Sequence, residues 1–180
     1  MASGPKIILV TGIMASGKST VAQILAEQFS RSIHLRGDLF RKMIVNNRKE
    51  VKPESSEEEL AQLRLRYKLA AQAADTYFEA GFTVVVQDVV IGRMLEDFLS
   101  FVRNRPLYCI VLCPSIAAVK HRESMRAKKA YIDWTVEQLD DVFRKETPRI
   151  GMWLDTTDLT PDETVVEILK RYEREAKCMI

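Results

Sequence analysis

From Gly12 to Ser19 the chain reads GIMASGKS. Two glycines bracket the segment Ile13, Met14, Ala15 and Ser16. A lysine follows the second glycine, and two hydroxyls, Ser19 and Thr20, follow the lysine. This arrangement suits an anion held close to backbone. Gly12 and Gly17 let the chain turn sharply and approach a phosphate. A helix starting at Lys18 points its free N–H groups and positive dipole end at the same place. Lys18 is then placed to bridge the β- and γ-phosphates of a nucleoside triphosphate, and the Ser19 hydroxyl to ligate Mg²⁺. The bland alternative is a glycine turn that merely joins strand to helix. The pattern G-x-x-x-x-G-K-[ST] arises by chance in on the order of one chain in a hundred of this length, at ordinary residue frequencies.

Two aspartates follow apolar runs. Asp38 comes after SIHLRG and Asp88 after TVVVQ. A carboxylate at the end of a parallel strand lies where such sheets bind ligands. Asp38 is expected to take the proton of an acceptor hydroxyl as it attacks the γ-phosphate. Its alternative use is a helix cap. Asp88 is open between metal ligand, acceptor contact and a turn residue. Arg41, three residues after Asp38, shares a helical face with it and suits an anionic or polar part of the acceptor; a solvated arginine is the alternative.

KHRESMRAKK carries Lys120, Arg122, Arg126, Lys128 and Lys129, with His121 among them. Arg122 and Arg126 are four apart and would share a helical face. A charge run is commonly a solvated surface. Beside a triphosphate, however, a cationic lid neutralises charge on the transferred phosphoryl group. His121 reads as a surface neighbour and His34 as a packing residue.

Alternating elements must position these groups. Lys6 to Thr11 (KIILVT) reads as a buried strand, followed by a glycine turn and a helix from Lys18 to Phe29. Ser32 to Arg36 reads as a second strand, with a helix from Asp38 to Asn46. Arg48 to Glu59 is a polar loop. Ser56 and Glu59 form a capping box for a long helix reaching Ala80 and ended by Gly81. Phe82 to Asp88 is a strand, Arg93 to Arg103 a helix, and Pro106 to Cys113 a strand. Ser115 to Ala127 and Thr135 to Lys145 are helices, and Met152 to Thr157 is a short strand. Thr160 and Glu163 cap a last helix from Pro161 to Lys177. Five strands joined by helices imply an α/β fold, a parallel sheet covered on both faces. Residues 1–180 read as one domain, with the acceptor region at about 38–80 and a lid at about 120–134.

Bulk properties narrow the partners. Apolar residues are 47% and charged residues 29% of the chain, enough for a core and ordinary for a globular domain. A net charge of +2 gives no argument for a nucleic-acid or membrane partner. No apolar run reaches the ~18 residues of a membrane span. Cys109, Cys113 and Cys178 form no disulfide pattern, and Cys109 lies in an apolar run, so a core role is expected and not a metal site. With no signal-peptide character in MASGPK, a cytoplasmic location is expected.

GIMASGKST, RGDLFRKMI, VVVQD, HRESMR and DTTDLTPDET together resemble the small P-loop kinases that act on hydroxyl groups. These include the chloramphenicol phosphotransferase-like, gluconate kinase-like and shikimate kinase-like enzymes. The resemblance covers nearly the whole chain and implies a P-loop NTPase fold of the nucleoside-monophosphate-kinase type, with a basic lid. RGDLFRKMI is also similar to the acceptor segment of phage-type polynucleotide 5′-kinases, and the stretch from Val119 through KAYIDWTVEQL to their lid region. The resemblance implies Asp38 as base, Arg122 and Arg126 as lid arginines, and Asp155 to Pro161, with Thr157, near the adenine. A separate phosphatase domain, a strongly basic channel and the acceptor signatures of gluconate or shikimate kinases are absent from the sequence.

The function expected is ATP- and Mg²⁺-dependent phosphorylation of a hydroxyl on a small molecule, such as an antibiotic or a sugar-like metabolite. A polynucleotide 5′-kinase and a nucleotide-binding regulatory or toxin-like module are the alternatives. Acceptor, ATP over GTP and oligomeric state are not readable from the residues.

Overall fold

The computed structural model describes residues 4–127 and 129–179. Lys128 of the basic segment and Met1 to Ser3 of the N-terminus lie outside them. Twelve elements follow in order. They are β1 (Ile7–Thr11), α1 (Lys18–Glu27), β2 (Ser32–Arg36), α2 (Asp38–Lys42), α3 (Glu57–Glu79), β3 (Thr83–Gln87), α4 (Met94–Phe101), β4 (Leu107–Leu112), α5 (Ile116–Ser124), α6 (Val136–Glu146), β5 (Met152–Leu154) and α7 (Pro161–Glu175). The strands form one parallel sheet in the order β2-β3-β1-β4-β5.

Both faces of the sheet are covered, which is why β1, β3 and β4 are buried along their whole length. Alternation along β1 feeds two cores. Ile7 and Leu9 pack with residues of α3, α4 and α6, while Ile8 and Val10 pack with α1 and α7. Since β1 is central and every strand runs the same way, the loops after β1, β2, β3, β4 and β5 gather at one edge.

Helix starts follow the sequence signals. Capping boxes at Ser56/Glu59 and Thr160/Glu163 open α3 and α7, and Thr135/Gln138 opens α6. Several helices end earlier than periodicity suggests. The helix after β2 stops at Lys42, and Asn47 soon after takes a left-handed φ of 59°. The basic helix stops at Ser124, because the Glu123 carboxylate turns to accept Ala130 N and Tyr131 N. Arg126 therefore leaves the helix that carries Arg122. The last helix ends at Glu175, because the next residues peel off to pair with β4, Cys109 N donating to Ala176 O and Cys178 N to Leu107 O. The loop before α3 is fastened back to it: Gln62 Oε1 accepts Lys49 N, and Gln62 Nε2 donates to Asn47 O.

Cys109 is buried in the core, and among the described residues no group of three or more His, Cys, Asp or Glu could hold a metal. No helix of the described residues is long and apolar enough to cross a membrane.

At the opposite edge of the sheet from the gathered loops, Asp75 is fully buried. It accepts Asn104 N and Asn104 Nδ2 at 2.9 and 3.0 Å, and Arg103 N at 3.1 Å. Asp75→Ala takes the carboxylate away from the two amides, while Asn104 Nδ2 keeps Glu79 Oε1 at 3.1 Å. Stability is expected to fall by about 3 kcal/mol, read as a lower urea midpoint, while the affinity of the folded protein for nucleotide stays at the wild-type value.

Candidate active site

The loop after β1 curls because three of its residues adopt positive φ: Gly12 at 144°, Ala15 at 61° and Gly17 at 95°. At Gly12 the constraint is also steric, since a Cβ there would stand 2.5 Å from Leu112 O. Ile13, Ala15 and Ser16 are buried, Met14 is partly so, and Ser19 and Thr20 are exposed at the helix start. The result is a ring of backbone around the N-terminus of α1, suited to an anion.

Lys18 is buried inside this ring. Its Nζ donates to Ile13 O at 2.6 Å and approaches Ser16 Oγ at 3.4 Å. Burial lowers its pKa to about 7, opposed by the charge of Asp88 and reinforced by Arg126 and Arg66. The lysine is thus folded over the place where phosphate oxygens would replace its carbonyl partner.

Asp38 is the first residue of α2 and makes no capping hydrogen bond; Gly37 holds the N-cap position. The capping alternative therefore falls. Lys42 Nζ donates to Asp38 Oδ2 at 2.6 Å, and Arg36 Nε lies 3.8 Å from Oδ1. Burial opposes ionisation, but the Lys42 hydrogen bond and the charges of Lys42, Arg36 and Arg66 outweigh it and hold the pKa below the ordinary carboxylate value. Asp38 Oδ1 has no hydrogen-bond partner among the described residues. Arg41, on the same short helix, is paired with Glu50.

The sequence leaves Asp88 between metal and acceptor. The structure commits both its oxygens. Arg66 Nε donates to Oδ2 at 2.8 Å, Arg66 Nη2 donates to Oδ1, and Val89 N also donates to Oδ1 at 2.7 Å. The side chain facing Ser19 is that of Gln87, whose Oε1 accepts the Ser19 hydroxyl at 3.3 Å. A hydroxyl and an amide oxygen together suit a hard cation that keeps several waters and also binds phosphate.

A cleft of about 340 Å³ opens beside the loop, lined by Ser16, Thr20, Arg122, Arg126, Thr156 and Leu159 among others. Arg122 bridges its walls, donating to Thr156 O at 2.7 Å and reaching Ser16 O at 3.4 Å. Thr157, expected against the nucleotide, does not line this cleft. Its hydroxyl donates to Asp155 Oδ1 and accepts Ser115 N, while Thr156 takes the place in the wall. Arg126 lines the cleft despite having left the helix. The segment beyond it returns over the loop. Tyr131 OH donates to Met14 O at 2.8 Å, and Trp134 Nε1 donates to Val51 O at 2.9 Å. Burial raises the Tyr131 pKa, so its hydroxyl keeps the donated proton.

Sequence reading did not single out Arg66 or Gln87. It placed Glu123 and Tyr131 in the lid segment and Thr156 in the stretch Asp155 to Pro161, without giving any of the three a role of its own. Arg66 is one of several charges on α3, and only the packing of that helix singles it out.

Residues 5–173 match the family of chloramphenicol phosphotransferase-like proteins. The chain belongs to this family. It is a kinase-type phosphotransferase with a P-loop. No curated protein matches it in sequence. Among solved structures it is similar to a sugar kinase from a Janibacter species, with 18% identity and a TM-score of 0.72 over 92% of this chain and 93% of that one. A shikimate kinase from Aquifex aeolicus gives 17% and 0.62 over 91% and 94%. A gluconokinase from Sinorhizobium meliloti gives 18% and 0.60 over 92% and 90%. At these identities the likeness establishes the P-loop kinase fold.

The lowered Lys18 pKa makes nucleotide binding depend on pH. Above pH 7 the free lysine is mostly neutral, and a bound triphosphate favours its charged form. Binding therefore takes up a proton at pH 8 and less at pH 6. Calorimetric titration in buffers of different ionisation enthalpy should show uptake rising over that range in the wild type. In Lys18→Met that rise should be missing. A pH-independent proton exchange in the wild type would count against the assignment.

Proposed function

We propose that the chain transfers the γ-phosphate of ATP to a hydroxyl group of a small molecule, an antibiotic or a sugar-like metabolite, in the cytoplasm. One observation carries this reading. An ionised carboxylate, Asp38, with one oxygen that takes no hydrogen bond among the described residues, stands close enough to the phosphate loop for its charge to act on Lys18.

In this mechanism the triphosphate lies along residues 12–20, where backbone N–H groups hold the phosphates. Lys18 gives up Ile13 O and bridges the β- and γ-phosphates. Ser19 Oγ, with Gln87 Oε1 beside it, would hold Mg²⁺, which when bound neutralises charge between the phosphates. Asp88 stays with Arg66. The acceptor hydroxyl gives its proton to Asp38 Oδ1 while its oxygen attacks the γ-phosphorus. The bond from that phosphorus to the bridging oxygen breaks, and ADP leaves. Arg122 and Arg126 face the charge on the transferring group. Arg41 exchanges Glu50 for a polar or anionic part of the acceptor. Family membership and the near-neutral net charge support a small acceptor over a nucleic acid.

The test is transfer of labelled γ-phosphate to an acceptor set containing chloramphenicol-type antibiotics, sugars, nucleosides and 5′-hydroxyl oligonucleotides. Labelled small-molecule product is expected. Asp38→Asn is expected to lower kcat by about 10²–10⁴-fold with little change in ATP affinity. Label on oligonucleotides alone would overturn the acceptor class, and near-normal transfer by Asp38→Asn would remove the base.

A further inference from the structure

Arg66 is a buried cation in α3 whose purpose the phosphate loop does not explain. Only 12% of its side chain is exposed, and it forms a two-pronged pair with Asp88, which is 1% exposed. Burial disfavours a charged guanidinium, yet the Asp88 carboxylate more than compensates and raises its pKa. The next residue of α3 grips the same turn, Tyr67 OH donating to Val89 O at 2.6 Å. From the other side Thr11 Oγ1 donates to Val90 O and accepts Val90 N. The turn Asp88–Val90 is thus clamped between α3 and β1.

The clamped carboxylate fills the space that a side chain at position 37, the residue before the proposed base, would need. A Cβ on Gly37 would overlap Asp88 Oδ2 and lie 2.8 Å from Asp88 Cγ. The φ of Gly37 is −62°, which any residue adopts, so glycine is needed here for space and not for torsion. Gly37 N also donates to Gln87 O at 3.0 Å. Asp38 follows directly, and a neighbouring side chain, Gln87, faces Ser19. Arg66, Asp88 and Gly37 form a continuous contact from the long helix to Asp38.

We propose that Arg66 is a positioning residue: acting through Asp88 against Gly37, it sets the place of Asp38 relative to the phosphate loop. This rests on the reading of Asp38 as base for its value to catalysis, but the positioning can be tested without it. The charged and titratable groups facing Asp38 are Lys42 and Arg36 from its own segment, His34 from β2, Arg66 from α3 and Lys18 from α1. Arg66 therefore acts on Asp38 both by contact and by charge, while Gly37 acts by contact alone.

The experiment is NMR of the full chain without nucleotide, comparing wild type, Arg66→Met, Arg66→Lys and Gly37→Ala. It follows the Asp38 side-chain carboxyl, the Gly37 and Asp38 amides, and amide exchange. In Arg66→Met the Gly37 amide is expected to exchange about tenfold faster or more, while Leu9 in β1 keeps its protection. The Asp38 carboxyl should also titrate at higher pH. Arg66→Lys keeps the charge but loses the planar fork, so it should restore the titration more than the exchange protection. Gly37→Ala leaves every charge in place and should move the Asp38 resonances by displacement alone. Should Arg66→Met fail to fold, the alanine variant still decides. An Asp38 carboxyl that keeps its chemical shift and titration in Gly37→Ala, or Asp38 and Gly37 signals unchanged in a folded Arg66→Met, overturns the proposal. The transfer assay on Asp38→Asn judges the base separately, so either idea can fail while the other stands.

Discussion

A carboxylate taken out of water costs several kcal/mol unless cations and N–H groups replace the lost solvent. Asp88 meets that condition with Arg66 and the amide of Val89, and the catalytic edge is arranged around the result. The pair joins the long helix α3 to the central sheet. It leaves room for a glycine alone at position 37, and so decides where the chain enters α2. Its charges also reach Lys18, Asp88 raising the lysine's pKa and Arg66 lowering it. A group at the end of a strand thereby influences both the phosphate loop and the carboxylate beside it.

The donor side is built from backbone. Three positive-φ residues and a helix N-terminus shape the loop, and the tight approach of Gly12 to Leu112 O sets it against β4. Side chains then close it. Arg122 ties the loop to Thr156, and Tyr131 ties it to the segment returning from α5. Glu123 makes that return possible by accepting two amides at once. The basic segment is therefore a turn organised by an acid as well as a cationic surface.

The P-loop kinase architecture is shared with proteins below 25% identity, so it follows from constraints that many sequences satisfy. A parallel sheet buried on both faces needs apolar strands, and crossover helices need one apolar face. Neither requirement touches the region at about 38–80 that we propose for the acceptor. There the chain carries a short α2, a loop fastened to α3 by Gln62, and the Arg41–Glu50 pair.

Much of this was legible in the residues. The five strands, the helix starts and the phosphate loop were readable because each depends on local chemistry: an unbroken apolar run, a capping box, glycines at set spacing. Asp38 was legible as a carboxylate just past a strand. Helix ends were less so, since those after Arg122 and before Ala176 are decided by distant partners, Tyr131 N and the edge of β4. The sequence by itself determined that the chain folds as a P-loop α/β domain and that Lys18 and Ser19 stand where the loop meets α1. Only the tertiary structure decided that Asp88 faces Arg66, that Gln87 faces Ser19, and that Thr156 stands in the cleft in place of Thr157. Those choices depend on which side chains meet across elements far apart in the chain, and no spacing along one element records such a meeting.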